Sequence, residues 1–300
     1  MKKYLRYGDV LVLFAGAAGL LLRLFLIMGG TDERGLYPKF APAWILLCLL
    51  SLAVVAAVYL LTKQAGDDTR YEINYPASVV GAVGNALAAV GMFITAIAMP
   101  NGEMLNLLCC ITGVAAAVAL LGAAAFRFTG KKPHFLCHAA PAVFFALRLF
   151  LLGKDLGAEP ELSRFLFEML ASLALVPACY QLWGFDVDLG HRSKSLFWML
   201  TAAYLCIVAI VGMENWLLYL ACAVWLLTNL CPLKFLVKPE EDELQVPAGA
   251  ENAAEVPQAE EISLDAPAEV QQESVADPLE DFDPDKILAE ILREIDRTVE

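Results

Sequence analysis

The sequence predicts an all-α integral membrane protein with eight transmembrane helices and an acidic carboxy-terminal tail. Apolar residues make up 59% of the 300 residues and charged residues only 18%, which is too few to cover a soluble globule of this length. The mean hydropathy of the chain is +0.61. The charge is also unevenly spread, since residues 239–300 hold 20 of the 34 acidic groups and 3 of the 21 basic groups.

This uneven charge divides the chain into three segments. Residues 1–238 contain 18 basic and 14 acidic groups and are predicted to form a polytopic membrane domain. Residues 239–282 mix Glu, Ala, Pro, Val and Gln without a helical period, a composition typical of a disordered acidic linker. Residues 283–300 are predicted to form a short amphipathic helix.

Eight stretches of the membrane domain are long enough to cross a bilayer, which takes about 20 mostly apolar helical residues. Because the lipid core offers backbone groups no hydrogen-bond partners, such stretches are expected to be helices. The predicted spans are 9–29, 41–62, 77–99, 104–126, 135–153, 162–184, 195–212 and 215–232. The first span lacks a small-residue cleavage site, so we expect a retained anchor rather than a signal peptide.

The orientation follows from the Lys and Arg residues of the loops, because basic loops stay on the cytoplasmic side. With eight spans, one side of the membrane carries 12 basic loop residues and the other side carries 3. The sequence therefore predicts a plasma-membrane protein of the bacterial type, with both termini in the cytoplasm.

The two halves of the membrane domain resemble each other. Residues 22–26 in the first span and 147–151 in the fifth span are both Leu-Arg-Leu-Phe-Leu. The second and sixth spans also match without gaps at several positions, including a serine and a tyrosine. These matches predict a tandem repeat of four helices, with both copies in the same orientation because four spans restore the starting side. Chance similarity between apolar segments is the alternative.

Charged residues within the spans are candidates for a functional site, because burying them in a bilayer is costly. Arg23 and Arg148 lie about six residues, or roughly 9 Å, from the outer ends of their spans. Glu168 lies at a matching depth in the sixth span, and Arg164 precedes it by one helical turn. One interpretation is a polar membrane site that binds an anionic group. The other is that the arginines extend to lipid headgroups while Glu168 holds helices together.

Other polar residues suggest packing rather than chemistry. Asn85 lies among small residues at helical spacing, which is typical of a close helix–helix surface. His134, Cys137 and His138 share one helix face, but no fourth zinc ligand is evident nearby. The remaining cysteines lack CxxC spacing and are expected to be small apolar residues. No catalytic, cofactor or metal site is predicted, and the acidic tail disfavours nucleic-acid binding.

The tail ends in a recognisable docking element. Asp283 can cap a helix that begins at Pro284. Five apolar residues then recur on one face of that helix: Ile287, Leu288, Ile291, Leu292 and Ile295. So short a helix needs a covering surface, and its negative charge favours a protein groove over an anionic membrane.

Two functions fit this sequence. The first is a non-enzymatic scaffold or regulatory protein that presents the tail helix to a cytosolic protein. The alternative is a small-molecule carrier with an anion-interacting site near the outer leaflet, around Arg23, Arg148 and Glu168. Polar groups facing one another inside the bundle would favour transport, whereas an apolar interior would favour the scaffold.

Overall fold

A computed structural model describes most of the membrane domain. The described residues are 7–29, 42–63, 65, 70–99, 103–158, 162–211 and 215–233. They all belong to one compact unit, Met1–Glu243, whereas a second unit, Leu244–Glu300, lies wholly outside them. The predicted acidic linker and the predicted tail helix with its apolar stripe therefore lie outside the described residues.

The described part of the chain is all-helical, as the sequence predicts. Its helices are α1 (Gly8–Gly29), α2 (Pro42–Thr62), α3 (Tyr71–Asn74), α4 (Val79–Ala98), α5 (Met104–Thr129), α6 (Leu136–Ala158), α7 (Leu162–Asp186), α8 (Arg192–Ala209) and α9 (Trp216–Leu233). All of them except α3 correspond to predicted spans. The single turn α3 lies between the second and third predicted spans.

Within the described residues, six helices are long and apolar enough to cross a membrane: α1, α2, α4, α5, α6 and α7. Both α1 and α2 expose large apolar side chains along their length, among them Phe14, Phe25 and Leu52. Lipid would cover such a surface, whereas exposing so much apolar area to water would be unfavourable. These features support a multi-pass membrane protein.

The helices α8 and α9 match the seventh and eighth predicted spans but are less suited to lipid. The first turn of α8 contains charged and hydroxyl side chains, and the apolar part of α9, Trp216–Leu230, is shorter. Helix α8 packs against α1, α2, α7 and α9, and most of its side chains are buried. A helix that is enclosed by other helices needs little apolar outer surface. The count of eight spans therefore stays a prediction, whereas six spans have direct support.

Six of the described helices form a closed ring. Each helix from α4 to α9 packs against the next one in the chain, and α9 packs back against α4. Helices α1 and α2 pack against each other and against the outside of α8. The interior of the ring is therefore the place where side chains from several helices can meet.

The contact between α4 and α9 is very close, as the small residues around Asn85 predict. A Cβ atom built on Gly84 would lie 1.9 Å from Oγ1 of Thr228, so only glycine fits there. At this contact Nδ2 of Asn229 donates a hydrogen bond of 2.9 Å to Oδ1 of buried Asn85. The predicted packing surface is confirmed, and its polar group is satisfied by the neighbouring helix.

The two predicted repeats differ in their neighbours. In the second half, α6, α7, α8 and α9 pack successively along the chain. In the first half, α1 packs on α2 and α4 packs on α5, but α2 does not pack extensively on α4. The extensive contacts of α2 are with α1 and α8. Both halves do contain pairs of consecutive packed helices, α1–α2 and α4–α5 in the first and α6–α7 and α8–α9 in the second. The tandem repeat stays a prediction.

Candidate functional site

Arg23 is buried against two helices of the other half. Its side chain is only 3% exposed, and Nη1 donates a hydrogen bond of 2.9 Å to the backbone carbonyl oxygen of Val208. The guanidinium also lies 5.4 Å from the centre of the Phe167 ring on α7. Val208 belongs to the last turn of α8, where carbonyl groups lack partners within the helix and favour a positive charge. Arg23 therefore joins α1 to α7 and α8 and does not extend to the lipid surface.

Arg148 points into the ring. From α6 it reaches Tyr219 on α9, with Glu168 of α7 and Cys109 of α5 close enough to interact electrostatically. It is only 5% exposed, and Nε and Nη2 have no hydrogen-bond partner among the described residues. No direct ion pair joins it to Glu168 in this part of the chain. Its charge is therefore buried beside the Glu168 carboxylate and the Tyr219 phenol, while two of its nitrogens are left without hydrogen bonds among the described groups.

Polar groups of α7 and α9 surround this guanidinium. The hydroxyl of Tyr219 lies 3.2 Å from Oγ of Ser172 and 3.4 Å from the backbone carbonyl oxygen of Glu168. All three side chains are buried. We call Arg148, Glu168, Ser172 and Tyr219 the Arg148 cluster. Guanidinium and phenol groups are donors that suit carboxylate or phosphate oxygens.

The structure thus brings three of the predicted site residues to one turn of α7. Arg23 contacts this turn through Phe167, and Arg148 approaches Glu168 from the interior of the ring. The two arginines differ in role, because Arg23 is hydrogen-bonded to the backbone whereas Arg148 retains free donors among the described groups. The side chain of Arg164 lies outside the described part, and so does its predicted pairing with Glu168.

Another buried arginine lies at the opposite end of the ring from the Arg148 cluster. Arg127, near the end of α5, is 1% exposed, and Nε, Nη1 and Nη2 all lack a hydrogen-bond partner within the described residues. Its guanidinium lies 4.9 Å from the centre of the Tyr75 ring. A Cβ atom on Gly81 would lie 2.8 Å from Nε of Arg127, so this side chain is pressed against the first turn of α4.

Tyr75 closes the ring at the Arg127 end. Its ring packs edge-on against Phe185 of α7 at 5.2 Å. Its hydroxyl lies 3.5 Å from Oγ of Ser195 and 3.7 Å from Sδ of Met199, both on α8. Since the same side chain contacts Arg127 of α5, it bridges three helices of the ring. The single turn α3 therefore places an aromatic side chain across this end of the ring.

The two tyrosines of this segment stay uncharged at neutral pH. Tyr71 stacks on Tyr75 with ring centres 5.3 Å apart. Burial raises the pKa of Tyr71 to about 12, although nearby Arg127 opposes the shift. Burial likewise raises the pKa of Tyr75. Neither phenol can therefore act as a negatively charged partner for Arg127.

An acidic and an imidazole side chain meet near the same end. Nδ1 of His138 lies 2.8 Å from Oδ2 of Asp186, and both residues are buried. His134 is exposed instead and packs on Phe135. In the described residues no group of three or more His, Cys, Asp and Glu side chains is arranged to hold a metal ion. The pair holds α6 to α7.

The middle of the ring is apolar. On α7, Cys179 and Leu182 lie between the polar groups at the two ends, and on α9 Cys222 and Leu226 do the same. The described cysteines are free thiols, most of them buried, as expected for small apolar residues. The interior thus has two polar ends and an apolar centre.

The sequence interpretation missed Arg127, Tyr75 and Asp186 as site residues. Arg127 was one of the 12 basic residues assigned to loops on the cytoplasmic side, although α5 continues two residues beyond it. Asp186 lay just past the predicted end of the sixth span. A usable signal existed for both, because each is charged and lies within one turn of the end of a long apolar helix. No protein-family model, curated protein or solved structure matches this chain.

Proposed function

We propose that this protein is a membrane carrier of small anions, with the Arg148 cluster as its binding site. The supporting observation is that the Arg148 guanidinium lies inside the helix ring, nearly fully buried, with Nε and Nη2 lacking hydrogen bonds among the described residues. A buried charge of this kind is costly unless an opposite charge accompanies it for part of the time. Glu168 supplies one such charge, and a transported anion would accept hydrogen bonds from the two nitrogens that the described groups leave unbonded.

Two further observations favour transport over a purely structural bundle. Polar groups lie at both ends of the ring interior, which suits a solute that enters from either side. Tyr75 closes one of these ends by side-chain contacts alone, so a small movement of α3 would open it. The apolar centre argues against an open channel, so a solute could pass only if the protein alternates between two states.

We include all eight predicted spans in this proposal. Helix α8 has 18 residues and α9 has 18 residues, and each would extend about 27 Å, close to the thickness of the hydrocarbon core. Both complete the ring with four apolar helices. Reporter fusions after residues 188 and 213 test this point, since eight spans place the first in the cytoplasm and the second outside.

Flux measurements on purified protein in liposomes test the carrier function. Chloride, phosphate, acetate and succinate would each be applied as a gradient, and currents recorded with Arg148→Gln and Arg148→Lys. Lys154→Gln is the matched control, because Lys154 is an exposed cation on the same helix that pairs with exposed Glu103. We expect at least one anion to move in the wild type and in the control, and not with Arg148→Gln.

If none of these anions moves through the wild-type protein, carriage of small anions by this chain is wrong. If Arg148→Gln retains the wild-type current, the binding site is not at Arg148. Size-exclusion profiles of both variants must match the wild type for either conclusion.

The scaffold function is the second candidate, and it depends on the stripe of residues 287–295. Deleting residues 283–300 should remove co-purifying cytosolic proteins while leaving the anion currents intact. An unchanged set of co-purifying proteins would contradict docking through this helix.

A further inference from the structure

Arg127 lacks the partners that a buried arginine needs. A guanidinium has five N–H donors and is charged at every physiological pH. The Tyr71 phenol lies close enough to interact with it, but none of its three nitrogens makes a well-formed hydrogen bond with the described residues, and the side chain is 1% exposed. The cation–π contact with Tyr75 offsets only part of the cost of burial.

The surroundings of Arg127 add positive rather than negative potential. The guanidinium lies against Gly81 in the first turn of α4, where the helix dipole is positive, and the N–H of Gly81 donates to Oγ of Ser78. Tyr71 and Tyr75 remain neutral because burial raises the pKa of each phenol. The described ion pairs join Lys132 to Asp188, His138 to Asp186 and Lys154 to Glu103, and none of them includes Arg127.

We propose that Arg127 and the first turn of α4 form a phosphate-binding site that Tyr75 covers. A guanidinium can hold two phosphate oxygens at once, and a helix amino terminus is a common phosphate site. Gly81 lets the guanidinium approach the helix backbone, since any side chain there would displace Nε. The Tyr75 ring lies over the guanidinium and must move aside when the phosphate enters.

The phosphate can come from two sources. Arg127 is two residues from the end of α5, so it lies about 3 Å from the edge of the helix and near the expected depth of lipid headgroups. The group is therefore either free inorganic phosphate or the phosphate of an anionic lipid such as phosphatidylglycerol. This proposal does not depend on anion transport, because binding at Arg127 is measured without flux.

The first measurement is thermal unfolding of the purified full-length chain in neutral detergent, in a series of phosphate concentrations at constant ionic strength. Phosphate stabilises most proteins weakly through exclusion from their surface, so the comparison with variants decides the result. We expect the Tm of the wild type to rise by about 5 °C more than that of Arg127→Met near saturation.

Two further variants separate binding from folding. Gly81→Ala keeps the charge of Arg127 but places a methyl group 2.8 Å from Nε, and it should remove the phosphate-dependent rise. Lys131→Gln removes an exposed cation four residues further along and should respond as the wild type does. If the wild type, Arg127→Met and Gly81→Ala respond alike to phosphate, free phosphate does not bind at Arg127.

Native mass spectrometry after extraction from phosphatidylcholine nanodiscs with added phosphatidylglycerol tests the lipid source. Retention of phosphatidylglycerol by the wild type and by Lys131→Gln, with loss in Arg127→Met and Gly81→Ala, assigns the site to a lipid headgroup. A phosphate response with equal lipid retention in all four proteins assigns it to the free ion. If the variants match the wild type in both measurements, the proposed site is wrong.

Discussion

Nη1 of Arg23 donates a hydrogen bond to the backbone carbonyl oxygen of Val208, and this bond ties α1 to the last turn of α8. The matched arginine of the second half, Arg148, has no such backbone partner among the described residues. Two arginines in identical pentapeptides therefore differ in their hydrogen-bond partners. The first is hydrogen-bonded to the backbone of α8, whereas the second has two nitrogens without hydrogen-bond partners among the described residues.

This difference predicts opposite effects for the same substitution. Arg23→Met should lower the free energy of unfolding by about 2 kcal/mol, because a charge-assisted hydrogen bond is lost and a carbonyl group is left unpaired. Arg148→Met introduced into a Glu168→Gln background should leave stability unchanged or raise it, because the buried charge is then removed together with the carboxylate beside it. Thermal melts of both variants in detergent provide the comparison. Equal losses would show that the two arginines share one structural role.

The contact between α4 and α9 predicts a strong glycine effect. In Gly84→Ala the new methyl group would lie 1.9 Å from Oγ1 of Thr228 and 2.9 Å from its Cβ atom, so the helices must separate. We expect a loss of about 2 kcal/mol in the free energy of unfolding. Gly153→Ala is the control, because nothing lies within 4 Å of that position, and alanine should be neutral or slightly favourable.

Partial rescue provides a second check on this contact. Thr228→Ala removes the nearest atom and should recover part of the stability lost in Gly84→Ala. A melting temperature for Gly84→Ala equal to that of Gly153→Ala would mean that α4 and α9 are not packed as closely as described.

Local features of the sequence were sufficient to predict the helices and the close-packing surface. Span length and hydropathy mark α1, α2 and α4 to α7, and small residues around Asn85 mark the contact with α9. Both features depend on residues near one another in the chain, where helix geometry fixes the spacing. The depth of Arg23 and Arg148 follows from the same geometry.

Contacts between distant parts of the chain could not be predicted in this way. Asp186 and His138 are 48 positions apart, and their pairing depends on which face α6 presents to α7. Arg127 was taken for a loop cation because the basic-loop rule counts charge and carries no information on burial. The order of helices around the ring likewise depends on tertiary packing, which hydropathy does not encode.

Alkaline pH should destabilise the fold through Tyr71. Burial raises the pKa of this phenol from 10.0 to about 12, so the folded state favours the protonated form. The stability is therefore intact below about pH 10 and falls as the pH rises to about 12, by roughly 2–3 kcal/mol for this group. Melts of Tyr71→Phe should show a shallower decline over this range.

Tyr7→Phe serves as the control for this titration, since Tyr7 is 57% exposed. Its decline with pH should follow that of the wild type. If Tyr71→Phe loses stability as steeply as the wild type between pH 10 and 12, the Tyr71 phenol is not buried in the folded protein.

Tyr75 should control access to the ring interior at the Arg127 end. Its hydroxyl lies 3.5 Å from Oγ of Ser195, which is fully buried. In Ser195→Cys the introduced thiol should react slowly with a polar maleimide in detergent solution. Adding Tyr75→Ala removes the aromatic side chain and should speed the reaction by about tenfold or more, as expected when local opening becomes about 1.4 kcal/mol less costly.

Adding Tyr75→Phe instead should keep the reaction slow, because the ring still packs against Phe185 and Arg127 while only the hydroxyl contact is lost. Adducts on the native cysteines are subtracted by labelling the Tyr75→Ala protein with Ser195 intact. Equal reaction rates in Tyr75→Ala and Tyr75→Phe would mean that the aromatic ring does not close this end. A faster reaction in Tyr75→Ala alone would identify the Tyr75 ring as the barrier between the solvent and the polar groups of the ring interior.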